Sequence, residues 1–584
     1  MKTVPGLPKF FVLLALLFLW GSSPVQPALA ATIDVNTTAD EFGTGTDCSL
    51  REAIQAANTD TAFGGCSAGS GDDIINLPAG TYTLSISGSG ENSNATGDLD
   101  IASNITVIGA GAGQTTINAN SIDRVLHILS GNVALQDLSI TGGLVNEVSG
   151  GGILQNGGSL TIENSIVSAN SKTGSAGFGG GVAHTNGTLV IRDSTLANNT
   201  SATSGGGLYT TVGSADIETS TFSSNAVTGG GGGAIYSVNN TVNVVNATFN
   251  GNTITTNGGA IFVPSGSTGQ ITINNSTFYN NAPASGTGRA IRNLGSNPTI
   301  LDNTLLLRGA AAASLCSGSF TASNSLANDT SCTGTSTTIT NFDTTLRDNG
   351  GPTLTHAILP GSNAIDAGNN ATCATVDQRG LSRPVDYDLN STVTCDIGAF
   401  ERQAGETFTA TVNDGDTVTF GATLTTIVDV AGGNAPGQVT VTRINQPPGG
   451  GAPDAGEMPF HVNITAATST GLDIDLTLCY TDWELTHNTT SVVESGLTLY
   501  RWNSALSVWE DQGVDALDTT NNCATKNNVS ALSSWTLASG PPEPTAVSLQ
   551  SFSATNPATG LLLFGSALIL TFIASLFLRR RVQG

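Results

Sequence analysis

Lysine is nearly missing from this chain: Lys2, Lys9, Lys172 and Lys526 are all there are. Charge of either sign is scarce, at 11% of residues, and it is lopsided, with 19 basic against 44 acidic residues and a formal net charge of −25. Lys2, Lys9 and Arg579 to Arg581 sit in end segments, so the remainder is more acidic still. Such a surface repels nucleic acid and anionic headgroups, which excludes nucleic acid as a partner. Neither Cys-x-x-Cys nor His-x-x-x-His spacing accompanies the eight cysteines. That argues against a zinc site, and no metal ligand set or cofactor is read from the sequence. At 584 residues the chain is too long for one compact core, so several domains are expected.

What is present is a repeat. From Gly150 to Asn281 each copy opens with glycines and an aliphatic residue: Gly151-Gly152-Ile153, Gly180-Gly181-Val182, Gly206-Gly207-Leu208, Gly233-Ala234-Ile235 and Gly259-Ala260-Ile261. Each closes with an apolar residue three positions before an asparagine: Val167 and Asn170, Leu196 and Asn199, Phe222 and Asn225, Phe249 and Asn252, Phe278 and Asn281. Between them run short strands such as Leu160-Ile162, Leu189-Ile191 and Val242-Val244, alternating with Ser, Thr, Asn and Asp. Period-2 alternation turns one side of each strand inward. A long period built from strands and Gly/Asn turns marks a solenoid. Leucine-rich repeats need a helical half-repeat, and none is visible. The expectation is a right-handed parallel β-helix over 74–306 with about three strands per coil. Its asparagines would form one ladder, in left-handed turn positions, and Phe222, Phe249 and Phe278 would stack in the core.

The ends read as targeting segments. Lys2 and Lys9, the apolar run Phe10 to Trp20 and Ala28-Leu29-Ala30 suit a cleaved signal peptide over 1–30. At the other end Pro541 to Pro544 breaks the chain, opening a linker or sorting motif over 541–560. Leu561 to Leu578 is largely apolar, and Arg579, Arg580 and Arg581 follow. A helix over 561–578 is long enough to cross a bilayer core, with the basic tail 579–584 cytoplasmic. The layout also resembles bacterial C-terminal sorting signals, which implies a processing enzyme. In an exported protein the cysteines read as disulfides, with local pairing expected: Cys48/Cys66, Cys316/Cys332, Cys373/Cys395 and Cys479/Cys523.

Asp47-Cys48-Ser49-Leu50-Arg51-Glu52-Ala53-Ile54 suits a short helix starting near Asp47 or Ser49. Together with Asp72-Asp73-Ile74-Ile75-Asn76-Leu77-Pro78-Ala79-Gly80-Thr81-Tyr82, this segment resembles the CSLREA domain that begins many bacterial β-helix surface proteins. The resemblance implies an N-terminal cap over 31–73. The Gly-Gly-Ala-Ile and Phe-x-x-Asn phrases resemble the repeats of chlamydial polymorphic outer membrane proteins, although Val167 and Leu196 replace Phe in two copies. No β-barrel pattern follows, so autotransport is not supported. The periodicity fades after Leu306. Asn349-Gly350-Gly351-Pro352-Thr353, the run Pro360 to Gly368, Asp377-Gln378-Arg379-Gly380, Arg383-Pro384 and the run Cys395 to Glu401 then resemble the choice-of-anchor Q domain of bacterial surface proteins. That resemblance implies, over 307–402, the end of the β-helix and some form of surface attachment. Over 403–540 longer alternating strands suggest a β-sandwich of immunoglobulin-like type. The fold class is therefore all-β: β-helix, then sandwich, then a C-terminal transmembrane helix.

Many β-helices cleave acidic glycans, and a lyase of that kind would use clustered Asp and a Lys or Arg base on one face. Lys172 is expected on a variable loop, and Arg124, Arg192, Arg289 and Arg292 are dispersed. Asp72-Asp73 suits turn and capping roles. His127 and His184 have no acidic partner visible at matching coil positions. Asp377, Arg379 and Arg383 suit a buried network closing the rod. No catalytic residue is assigned. The reading is a non-enzymatic exported surface protein, an adhesin or an envelope or matrix component. A polysaccharide lyase or glycoside hydrolase is the alternative. An extracellular glycan, a surface protein, the membrane and a sorting enzyme are the partners to be considered.

Overall fold

A computed structural model describes residues 30–539, apart from 256–257, 284–287, 310–313, 388–392, 422–424, 431–432, 446–457 and 487–491. The apolar alternation is realised as a parallel β-solenoid. One coil runs Ile153–Gln155, Ser159–Glu163, Ile166–Ser168 and Ser171–Thr173 before Val182–His184 begins the next. Stacked coils give four parallel sheets, of 9, 11, 10 and 6 strands in that order among the described residues. The fourth sheet is an addition to the three strands per coil expected. Its register carries Val145, Lys172, Ser201, Val227 and Ile254 in one buried file.

The inner faces are continuous rows. In the 11-stranded sheet Leu135, Ile162, Ile191, Ile217, Val244 and Ile273 lie in register, all fully buried. In the 10-stranded sheet the row is Ile140, Val167, Leu196, Phe222, Phe249, Phe278 and Leu306. Its phenylalanines stack with centroids 5.2 and 4.5 Å apart. Each buried side chain of this kind contributes about 1.5–3 kcal/mol relative to exposure.

The asparagine ladder forms, by a geometry other than the expected one. Asn170, Asn199, Asn225, Asn252 and Asn281 are buried; each of the last four accepts from the backbone N–H and side-chain amide of the one before, and Asn170 accepts from the Gly143 N–H. Each also donates to a carbonyl of the preceding coil, as Asn225 does to Leu196 at 2.8 Å. The left-handed residue is the one before the ladder: Ala169, Asn198, Ser224, Gly251 and Asn280 have φ of 51–62°. Asparagine is needed here for its two-ended side chain, because the coil corner buries backbone groups that no strand pairs. The glycines before each opening carry the other positive-φ corner, Gly150, Gly179, Gly205, Gly232 and Gly258 at 66–78°. A side chain on Gly180 would meet the Thr200 carbonyl at 2.3 Å, so the coils touch there through backbone alone.

The solenoid is longer than 74–306. Thr32–Asp34 pairs in parallel with Asp73–Asn76, so the cap segment supplies the first strand. At the far end Cys316–Gly318, Phe320–Ser323 and Leu326–Ala327 add to three sheets. That last coil steps only 21 residues from Thr304 to Ser325, against 29 from Asn252 to Asn281, which hid it from a periodicity reading. Helix α1 (Leu50–Thr59) covers the first coil; Ser49 is its N-cap, in a capping box with Glu52. Arg51 is buried, pairs with Asp40 at 2.7 Å and donates to the carbonyls of Gly97 and Asp98. Asn58 brackets the edge strand Leu99–Ile101, donating to the Asp100 carbonyl and accepting from the Ala102 N–H. The cap thus satisfies an edge that would otherwise be open.

The segment after the rod does more than close its tip. It folds back along the flank of the 10-stranded sheet. The outward file Thr221, Thr248 and Thr277 is met by Gln378 and the Ala399 N–H. Leu305, Leu307, Ala357, Ile358, Ala364, Ile397 and Phe400 form a separate core there. Residues 405–539 then form two antiparallel sheets, of 6 and 5 strands, over a shared core containing Val441, Phe460, Leu476 and Trp535. Trp535 is deeply buried, while Trp502 and Trp509 face each other on paired strands.

Candidate functional site

All eight cysteines pair locally, as Cys48–Cys66, Cys316–Cys332, Cys373–Cys395 and Cys479–Cys523. They fasten the cap, the last coil, the flank segment and the sandwich respectively. The segment 1–29, the span 561–578 and Arg579, Arg580 and Arg581 lie outside the described residues. Among the described residues no helix is long and apolar enough to cross a membrane.

The residues singled out for chemistry are placed as follows. Lys172 is not on a loop: it is buried in strand Ser171–Thr173, and its Nζ donates to the Gly174 carbonyl at 2.9 Å. Burial depresses its pKa, partly offset by Glu147. Asp73 is buried and accepts from the Ser70 and Ala31 N–H groups, a turn role; Asp72 accepts from Asn104 on the surface. Asp377 and Arg379 pair at 2.8 Å, with Arg379 over the Phe400 ring. Arg383 lies 3.4 Å from Glu401 and donates to the carbonyls of Asp396 and Gly398. Burial and the neighbouring Glu401 push the Asp396 carboxyl well above its ordinary range. This network is buried and lies against the flank of the rod. His184 meets Gln155, not an acid.

His127 corrects the sequence reading. Its strand pairs with Leu99–Ile101 so that Asp100 lies directly opposite, and Nδ1 stands 3.2 Å from Asp100 Oδ1. Nε2 accepts from the Asn156 amide at 2.8 Å, and Asn156 in turn accepts from Thr185. The other Asp100 oxygen accepts from the Asn94 N–H. One oxygen each of Asp98 and Asp100 and one His127 nitrogen lie within 4.8 Å of one another, all on buried residues. Arg124 Nε stands 3.3 Å from Asp98. Burial, with Asp123 and Asp100 nearby, pushes Asp98 up to about 7 despite Arg124, and burial raises Asp123 as well. The one local signal is Asp98-Leu99-Asp100 preceding Arg124-Val125-Leu126-His127 by one coil, and the sequence does not give the register that joins them.

The outer file that begins with Asp100 and His127 continues through Leu154, Ala183, Tyr209, Tyr236, Phe262 and Arg292. With Phe178 at its near end, it forms a stack of rings on the outside of the rod, with centroids 4.5–5.7 Å apart. Phe178 is 37% exposed, and the others are half-buried. The coils also carry a serine ladder: Ser194 Oγ accepts from the Ser165 N–H, and Ser220 Oγ from the Ser194 N–H. Its signal is the polar-Ser pair Asn164-Ser165, Asp193-Ser194, Thr219-Ser220 and Asn275-Ser276 before four closing strands, broken by Ala247.

Comparison of the chain with protein-family models, with curated proteins and with solved structures finds no match.

Proposed function

We propose that the chain is an exported, non-enzymatic surface protein, a stiff rod acting as an adhesin or as a component of the envelope or matrix. The observation that carries this reading is the fastening: four bridges lock four separate parts of the molecule, and no described cysteine is free. Bridges of that kind persist in oxidising, extracytoplasmic compartments. The proposal includes the finer identifications: a CSLREA-like cap, a choice-of-anchor Q-like segment, and retention by 561–584 or its removal by a sorting enzyme. The stacked outer rings from Phe178 to Phe262 favour a binding role, since they offer ring edges and tyrosine hydroxyls along one line to a glycan or surface protein.

The convergence of Asp98, Asp100, Asp123 and Arg124 is the observation that favours the carbohydrate-active alternative. Their side chains are all more than nine-tenths buried, so a sugar ring would meet only the rim. A glycan array and a turnover screen on the exported chain test both readings. Saturable binding without product, reduced by Tyr236→Ala, is expected. Product release lost in Asp98→Asn would replace this reading with the enzymatic one.

A further inference from the structure

The acidic cluster at the first coils has a feature that its packing does not explain. Asp98 Oδ2 and Asp123 Oδ2 are buried without a hydrogen-bond partner, on residues 2% and 5% exposed. Arg124 Nε, 3.3 Å from Asp98 Oδ2, makes no hydrogen bond either. Orphaned carboxylate oxygens at such depth are costly. Three carboxylates crowd around Arg124 and His127, and the other nearby cation, Arg51, is committed to Asp40. A divalent ion would hold all three carboxylates in their charged form.

We propose that Asp98 and Asp100, each with a carboxylate oxygen in a cluster of ligand atoms lying within 4.8 Å of one another, hold a hard divalent cation of the calcium class, with Asp123 adding to the acidic lining. The donor set supports oxygen ligation. Both His127 nitrogens are already engaged, one with Asp100 and one with Asn156, so the imidazole orients Asp100 and leaves the cation to carboxylates. A set without thiolate or free imidazole disfavours zinc. Asp123 and Arg124 line a surface cleft of about 410 Å³, together with Ser89, Gly90 and Leu144, so the cation would enter from the Asp123 side. The bound ion would tie the first coils to the cap, because the Asp98 carbonyl also receives Arg51 from α1.

Calorimetric titration of the chelator-treated full chain with calcium chloride, paired with thermal unfolding, tests this. The expected result is one saturable site, a rise in Tm with calcium, and at least tenfold weaker binding in Asp98→Asn and Asp100→Asn. Asp72→Asn, on the exposed corner, should bind as the unaltered chain does. If the asparagine variants fail to fold, titration of the unaltered chain decides. No saturable heat up to millimolar calcium overturns the proposal. Undiminished binding by folded Asp98→Asn and Asp100→Asn, or tight binding of zinc without calcium, also overturns it.

Discussion

At the scale of single residues, position in the coil decides what a polar side chain costs or contributes. Asn225 satisfies the Asn199 N–H and amide, and the Leu196 carbonyl, inside the rod. Asn225→Ala leaves these groups buried and unpaired, and should cost about 2–4 kcal/mol in denaturant unfolding. On a variable loop Lys172 would be dispensable. Being buried between Val145 and Ser201, it is not: Lys172→Ala should cost more than the ~0.5 kcal/mol typical of surface sites. Lys172→Met, which keeps the volume and removes the charge, should cost less than Lys172→Ala.

The buried histidines set an acid limb. Burial holds both His184 and His356 down to about 4, from an ordinary 6.5. The unfolded chain therefore binds more protons between those values. The stability that depends on neutral imidazoles is present above pH ~6.5 and is lost as pH falls toward ~4, by up to about 3 kcal/mol for each group. Asp98 works in the opposite sense: raised to about 7, it contributes most when protonated, and that contribution fades as pH rises through ~4 to ~7. Unfolding measured from pH 4 to 7 should show His184→Gln and His356→Gln flattening the acid limb. An unchanged slope in both variants would mean that neither imidazole is held neutral.

At the scale of elements, the rows and the flank segment carry the energy. Phe249 is fully buried between Phe222 and Phe278. Phe249→Ala should destabilise by about 3–5 kcal/mol. Thr248 is different, because it faces outward and holds Gln378 at 2.6 Å. Thr248→Val should cost only about 1–2 kcal/mol. Its clearer effect should be faster limited proteolysis within 340–402, with the coils left intact. Equal protection of that segment in both proteins would show that the flank is held by its apolar core of Leu305, Ile358 and Phe400 and not by the threonine file.

At the scale of the whole molecule, the rod and the sandwich each have their own core, so neither depends on the tail for folding. Deleting residues from Leu561 onward should release a folded, soluble chain into the medium, as judged by fractionation and intact mass. If the truncated chain stays with the cells, attachment lies elsewhere. If the full chain is recovered without its last residues, a processing enzyme has acted.

The inside and outside of the coil were legible in the sequence for a local reason. A strand alternates with period 2, and a coil that returns every 26 to 29 residues brings like residues into register, so Asn170 to Asn281 and Phe222 to Phe278 announce their own rows. The cysteine pairs were legible because each cysteine pairs with its neighbour in sequence, across 16 to 44 residues. The site was not legible, because Asp98, Asp100, Asp123 and His127 recur in no other coil, and only the register of Leu99–Ile101 against Leu126–Ile128 brings them together. The fold-back of 340–402 was hidden as well, since Gln378 reaches Thr221 across 157 residues that carry no shared period. Local periodicity determines which way a side chain points. Which distant segments cover it depends on where the closing chain finds matching hydrogen bonds and apolar surface, and that is decided only when the coils have stacked.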